Sequence, residues 1–127
     1  MDNTILYNPE CSKSRELLSI IKNINIKFKK RDYLLNPLST KETIALLSML
    51  DLPNPKTLLR AKPDSIKFSK TEGNSTNLIA DIISSYPELL QRPILTLGKK
   101  ALIARPPTLA IDFISRHLKA PQTSETN

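Results

Sequence analysis

Thr4-Ile5-Leu6-Tyr7-Asn8-Pro9-Glu10-Cys11-Ser12-Lys13-Ser14-Arg15 is the stretch on which the fold turns. Its first four residues form a short apolar run ending at Asn8-Pro9, the pattern of a buried strand entering a turn. Ser12 and Ser14 are residue types suited to capping a helix, and Leu17, Leu18, Ile21 and Ile24 then recur at helical spacing. Cys11 therefore falls between a strand and the first turn of a helix. A thiolate there meets unpaired backbone N–H groups and the positive end of the helix dipole, and both favour the charged form. Lys13 and Arg15 add positive charge nearby. The thiolate is the reactive species, so this placement suits a nucleophile. Serines and a lysine surround Cys11 where a space-filling cysteine would have apolar neighbours, so the thiol is expected to be solvent-accessible.

Outward from this stretch, Ile26 and Phe28 alternate with lysines and predict a second strand with one wet face. Ser39-Thr40-Lys41-Glu42 has capping-box spacing ahead of a helical stripe of Ile44, Leu47 and Leu50. Asn54-Pro55 reads as a further helix start, and the polar stretch Lys62–Asn74 as a loop. Leu78, Ile79, Ile82, Ile83 and Tyr86 form one more helical face, stopped by Pro87. Ile94–Leu97 and Ala101–Ala104 flank Gly98-Lys99-Lys100 in the pattern of a β-hairpin. Pro106-Pro107 then opens a last helix carrying Leu109, Phe113, Ile114 and Leu118. The order β-α-β, helices, β-β-α predicts an α/β fold, a four-stranded mixed sheet of thioredoxin-like plan with a helical insertion packed beside it. Residues 1–119 make one domain, with the insertion at roughly 39–87 and a polar tail at 120–127.

The chain has 127 residues, 39% hydrophobic and 24% charged, which is the composition of a globular domain with a modest core. No apolar run approaches the ~20 residues needed to span a bilayer, and the start lacks a basic segment followed by a long apolar one. A cytoplasmic protein with no membrane association is expected. The single cysteine excludes an internal disulfide and an all-cysteine zinc site, and no metal-ligand cluster stands out. The net charge of +7 suits an anionic substrate or an acidic partner, but the basic residues are scattered, so nucleic acid is not expected. His117, the one histidine, is expected to be an exposed structural residue near a helix C-terminus.

Cys11-Ser12-Lys13-Ser14 is C-x-x-S, so no neighbouring thiol can resolve a disulfide on Cys11. Cys11 to Arg15 is too short for the phosphate loop of a cysteine phosphatase. The run Asn8-Pro9-Glu10-Cys11-Ser12-Lys13-Ser14-Arg15 resembles the N-P-x-C-x-x-S-R signature of the glutaredoxin-coupled arsenate reductases. Leu58-Leu59-Arg60, Gln91-Arg92-Pro93-Ile94 and Ala104-Arg105-Pro106-Pro107 are similar to three further blocks of that family, in the same order.

The resemblance implies Cys11 as the catalytic nucleophile, with Arg60, Arg92 and Arg105 binding an oxyanion and Ser14, Arg15 and Pro93 in support. Guanidinium forks suit the oxygens of a tetrahedral anion, and a lone arginine such as Arg31 or Arg116 is more often a solvated surface group. Pro93, just before the third strand, would be the cis-proline that thioredoxin folds carry opposite the reactive cysteine. The implied activity is reduction of arsenate to arsenite in a monomer that binds no cofactor, with glutathione as external reductant and glutaredoxin as partner. Two other readings share the superfamily: a glutathione-dependent thiol reductase with another substrate, and a regulator similar to the Spx proteins, which bind RNA polymerase. The chain departs from the family pattern in having Tyr7 where histidine often precedes N-P, in the lysine-rich segment 61–74, and in lacking an acidic residue after Pro106-Pro107.

Overall fold

Strand β1 (Thr4–Tyr7) lies inside a four-stranded sheet, between β2 (Lys29–Asp32) and β3 (Ile94–Leu97), with β4 (Lys100–Ile103) at the far edge. β1 pairs parallel with β2, β1 antiparallel with β3, and β3 antiparallel with β4, so the sheet is mixed as expected. The computed structural model describes residues 1–60 and 75–119. The loop expected at Lys62–Asn74 and the polar tail at 120–127 lie outside the described residues.

Alternation along the inner strands sorts their side chains onto two faces. Ile5, Leu95 and Leu97 pack with Leu17 and Ile21 of α1 (Ser12–Ile21) and Ala110 and Ile114 of α4 (Leu109–Lys119). Leu6, Ile94 and Ala101 point the other way, into a cluster with Leu46 of α2 (Thr40–Met49) and Ile79, Ile82 and Ile83 of α3 (Thr76–Ser85). The insertion packs against one face of the sheet, which is the middle of three layers. Each fully buried Leu or Ile of this kind contributes about 1.5–3 kcal/mol, so the insertion stabilises the sheet it covers.

Local signals explain most boundaries. The Ser39 hydroxyl accepts from the Glu42 N–H at 3.0 Å and the Glu42 carboxylate accepts from the Ser39 N–H at 3.0 Å, closing the capping box. Asn54 is a cap as expected, its side chain accepting from the Lys56 N–H, but the Pro55–Leu58 segment behind it is one 3₁₀ turn and not an α-helix. Strand β2 begins at Lys29, beyond the expected Ile26 and Phe28, which instead pack against the cluster formed by α1 and α4. The hairpin turn is also shorter than expected: Lys100 opens β4 opposite Leu97, leaving Gly98-Lys99 to turn. Gly98 has φ +63°, and a Cβ there would stand 3.0 Å from Cε1 of His117, which lies half-buried over the turn. Arg31 is no solvated surface group. It grips both oxygens of Glu42, at 2.7 and 3.1 Å, and donates to the carbonyls of Asn36 and Pro37. Arg116 is exposed and pairs with Asp112 one helical turn away. No helix among the described residues is long and apolar enough to cross a membrane.

Candidate active site

Three chain segments meet at one end of the sheet: the loop leaving β1, the approach to β3 and the exit from β4. The antiparallel pairs Leu6↔Ile94 and Ile94↔Ile103 fix this geometry, because they place the end of β1 beside the start of β3 and the end of β4. Cys11 is the N-cap residue of α1, held by its N–H donating to the Asn8 carbonyl at 2.9 Å and its carbonyl accepting from Arg15 at 3.1 Å. The expected exposure does not hold. Only 9% of Cys11 is accessible, because Ser14 and Leu17 behind it are wholly buried and draw the helix start into the protein.

Burial pushes the Cys11 thiol up, but the Ser14 N–H, the Arg92 guanidinium, the Ser14 hydroxyl and the Lys13 N–H together outweigh it. They bring the thiol down from 9.0 to about 7. These donors stabilise the anion directly, as the helix-start position predicted. Ser14 is used twice: its oxygen accepts from the Asn8 N–H at 3.1 Å, leaving its proton for the sulfur. Arg15 faces elsewhere, donating to the Pro9 carbonyl at 3.3 Å and bracing the loop ahead of Cys11.

Backbone pairing ties together the segments that carry the three arginines. Leu59 and Leu90 form an isolated antiparallel bridge, with the Arg60 N–H on the Leu89 carbonyl and the Gln91 N–H on the Leu58 carbonyl, each at 2.8 Å. That bridge sets Arg60 opposite Leu89 and ties its segment to the one that leads into Arg92. On the other flank the Ala104 N–H donates to the Pro93 carbonyl at 2.9 Å, and the Arg105 guanidinium donates to the Arg92 carbonyl at 3.0 Å. Pro93 is buried and follows a cis peptide bond, as expected; the Arg105–Pro106 bond is also cis. Arg92 is half-buried, and its Nε lies buried with no hydrogen-bond partner among the described residues. None of the ion pairs among the described residues involves Arg60, Arg92 or Arg105. Positive charges gathered without carboxylates repel one another and are suited to an anion.

One member of this cluster has no motif to mark it in the sequence. Tyr33, 1% exposed, comes directly after β2, and the parallel register Tyr7↔Asp32 sets it at the same end of the sheet as Asn8. Burial pushes its phenol up, Arg92 pulls it down, the Cys11 thiolate pushes it up, and the Asn8 amide and Arg60 pull it down. The hydroxyl is thus within electrostatic reach of the sulfur and of two arginines. Its signal in the sequence is its position one past a parallel strand, invisible when that strand is placed at Ile26–Phe28. No group of three or more His, Cys, Asp or Glu among the described residues could hold a metal ion.

The family model of the ArsC family matches residues 6–110. The chain is 30% identical to an arsenate reductase of Haemophilus influenzae over 117 residues, covering 90% of this chain and 100% of that one. It is 32% identical over 113 residues to the uncharacterized protein YfgD of Escherichia coli, covering 87% of this chain and 94% of that one. Among solved structures, the arsenate reductase from Vibrio cholerae superposes with a TM-score of 0.75 at 26% identity, covering 88% of this chain and 98% of that one.

Proposed function

Since the chain belongs to the ArsC family, we propose that it reduces arsenate to arsenite through an adduct on Cys11, drawing electrons from glutathione with glutaredoxin as partner. The observation that carries this reading is Arg92. Its guanidinium bonds toward a thiol lowered to about 7, while its Nε is buried and unpartnered among the described residues. A buried donor left unmade costs free energy, and an oxyanion placed against Arg92 would supply both the acceptor and the counter-charge. Names among the relatives favour arsenate as that oxyanion.

In the first step the Cys11 thiolate attacks arsenic, forming an S–As bond as one arsenic-bound hydroxyl takes up a proton from solvent and leaves as water. The charge that builds on the remaining oxygens is met by Arg92, with Arg60 and Arg105 flanking it. A glutathione thiolate then attacks the Cys11 sulfur, the S–As pair stays on arsenic, and As(V) leaves as As(III), arsenite. Cys11 is left in a mixed disulfide with glutathione, which a glutaredoxin thiol takes over to restore the thiolate. A single cysteine suits this scheme, because every further thiol comes from outside.

The test is NADPH oxidation coupled through glutathione reductase, glutathione and glutaredoxin, with and without arsenate. Alanine at Arg60, Arg92 or Arg105 should lower arsenate kcat/KM by about 10–100-fold each, the worth of one hydrogen bond to a charged group. Lysine at these positions should not restore it, since it lacks the planar fork. No arsenate-dependent oxidation by the wild type would sink the arsenate reading. Turnover of a small mixed disulfide in its place would point to a general thiol reductase.

A further inference from the structure

Gln91 stands directly before Arg92 and is fastened to the segment that runs into Arg60. Its backbone N–H donates to the Leu58 carbonyl at 2.8 Å, and its side-chain Nε2 donates to the Leu59 carbonyl at 3.1 Å. The Arg60 N–H returns a bond to the Leu89 carbonyl at 2.8 Å. Two of these three bonds come from one residue, and the side-chain bond ends on the carbonyl of the peptide that leads into Arg60. Among the described residues the pairing is a single bridge, Leu59↔Leu90, which no named strand extends. Leu58, Leu59 and Leu90 pack in one core cluster, which fixes the depth of both segments. Such packing is non-directional, so their alignment rests on the three hydrogen bonds. The Gln91–Leu59 bond is partly buried, where a carbonyl left without a donor is costly.

We propose that Gln91 is a positioning residue: its side-chain amide fixes the peptide ahead of Arg60 against the residue ahead of Arg92, and so sets the spacing at which the two guanidinium groups meet one anion. This rests on the oxyanion reading of the site. Two forks that must meet the oxygens of one tetrahedral anion gain from backbones that do not shift against each other. The far side of Arg92 has its own fastening, Arg105 on the Arg92 carbonyl at 3.0 Å and the Ala104 N–H on the Pro93 carbonyl at 2.9 Å. Loss of the Gln91 amide therefore leaves Arg92 in place and loosens Arg60 relative to it.

The experiment measures protection of Cys11 from iodoacetamide by sulfate, so it needs no turnover. Sulfate should slow alkylation of the wild type. Gln91→Met keeps the length of the side chain without its donor, and should raise the half-protecting sulfate concentration about five- to tenfold, as for residues coupled in one network. Gln91→Asn, whose amide falls one methylene short of the Leu59 carbonyl, should do the same. A wild-type half-protecting concentration in either variant overturns the role of Gln91. The pH midpoint of alkylation without sulfate should not move; a raised midpoint would place the effect at the sulfur and overturn the spacing claim. The decisive comparison is made in Arg60→Ala, which has no second guanidinium to space. There Gln91→Met should change the half-protecting concentration by less than about twofold. An undiminished effect without Arg60 would show general loosening of the site, which also overturns the proposal. Absence of sulfate protection in the wild type overturns the oxyanion reading itself, and this role with it.

Discussion

Replacing Ser14 by alanine isolates the hydroxyl that serves both the loop and the sulfur. Its oxygen accepts the Asn8 N–H at 3.1 Å, and its proton is turned to Cys11, whose thiol stands at about 7. A hydrogen bond to a charged acceptor contributes ~1.5 kcal/mol at the low end, which is about one pH unit. Ser14→Ala should therefore move the thiol to about 8. At pH 7 the thiolate fraction would fall from about one half to about one in eleven, and alkylation by iodoacetamide would slow roughly fivefold. At pH 10 the two proteins should react at nearly the same rate, with the variant marginally faster because a more basic thiolate is the better nucleophile. Stability should fall by about 1–3 kcal/mol as well, since Asn8 loses its acceptor; urea unfolding measures that separately from the alkylation profile. A midpoint within about 0.3 of the wild type would refute the claim that the Ser14 hydroxyl helps to activate this sulfur. A wild-type midpoint near ~8.5 would remove the activated thiolate altogether.

Other expectations concern the frame around the site. Glu42 is held down to about 2, first by the Arg31 fork and then by the Ser39 N–H, so its stabilising effect is full above the ordinary carboxylate range and lost as pH falls through 2. Because its side chain is 41% exposed, Glu42→Gln should cost only about 1 kcal/mol at pH 7, and urea titrations of the two proteins should converge near pH 2. Gly98→Ala forces a side chain to φ +63° and toward His117, and should cost about 1–2 kcal/mol by the same assay; equal stability would contradict the turn geometry. Leu46→Ala, at a wholly buried site under the sheet, should cost about 2–5 kcal/mol while unfolding remains one transition. Separate unfolding of the insertion would show that it does not share a core with the strands.

Where the chain punctuates itself, its sequence is a good guide. The apolar run into Asn8-Pro9, the capping box at Ser39 and the hairpin around Gly98 each combine a period with a stop signal, and all three elements stand where expected to within a residue or two. Strand β2 lacks that combination: an edge strand reading Lys-Lys-Arg-Asp buries little, so its pairing is decided by the exposed backbone of β1. Apolar Ile26 and Phe28 report contact with the α1 face instead, and mislead about the ladder. The insertion's seat on one face was equally hidden, since helical stripes reveal that a face is buried but not against what. At the site, the motif-bearing blocks pointed to Cys11 and the arginines. The bridge between Leu59 and Leu90 and the place of Tyr33 depend on pairings that only the folded chain expresses.

With only 9% of Cys11 accessible, the girth of a thiol decides whether it can reach this sulfur. Joining two copies of the chain through this sulfur would bring their Cα atoms within about 7 Å, a close approach for two proteins in which the cysteine is nine-tenths covered. A slender peptide thiol or a hydrated oxyanion meets no such barrier. Oxidant treatment should accordingly leave the chain running as a monomer on a non-reducing gel, and its one thiol is spared the dimeric dead end open to an exposed cysteine of the same acidity.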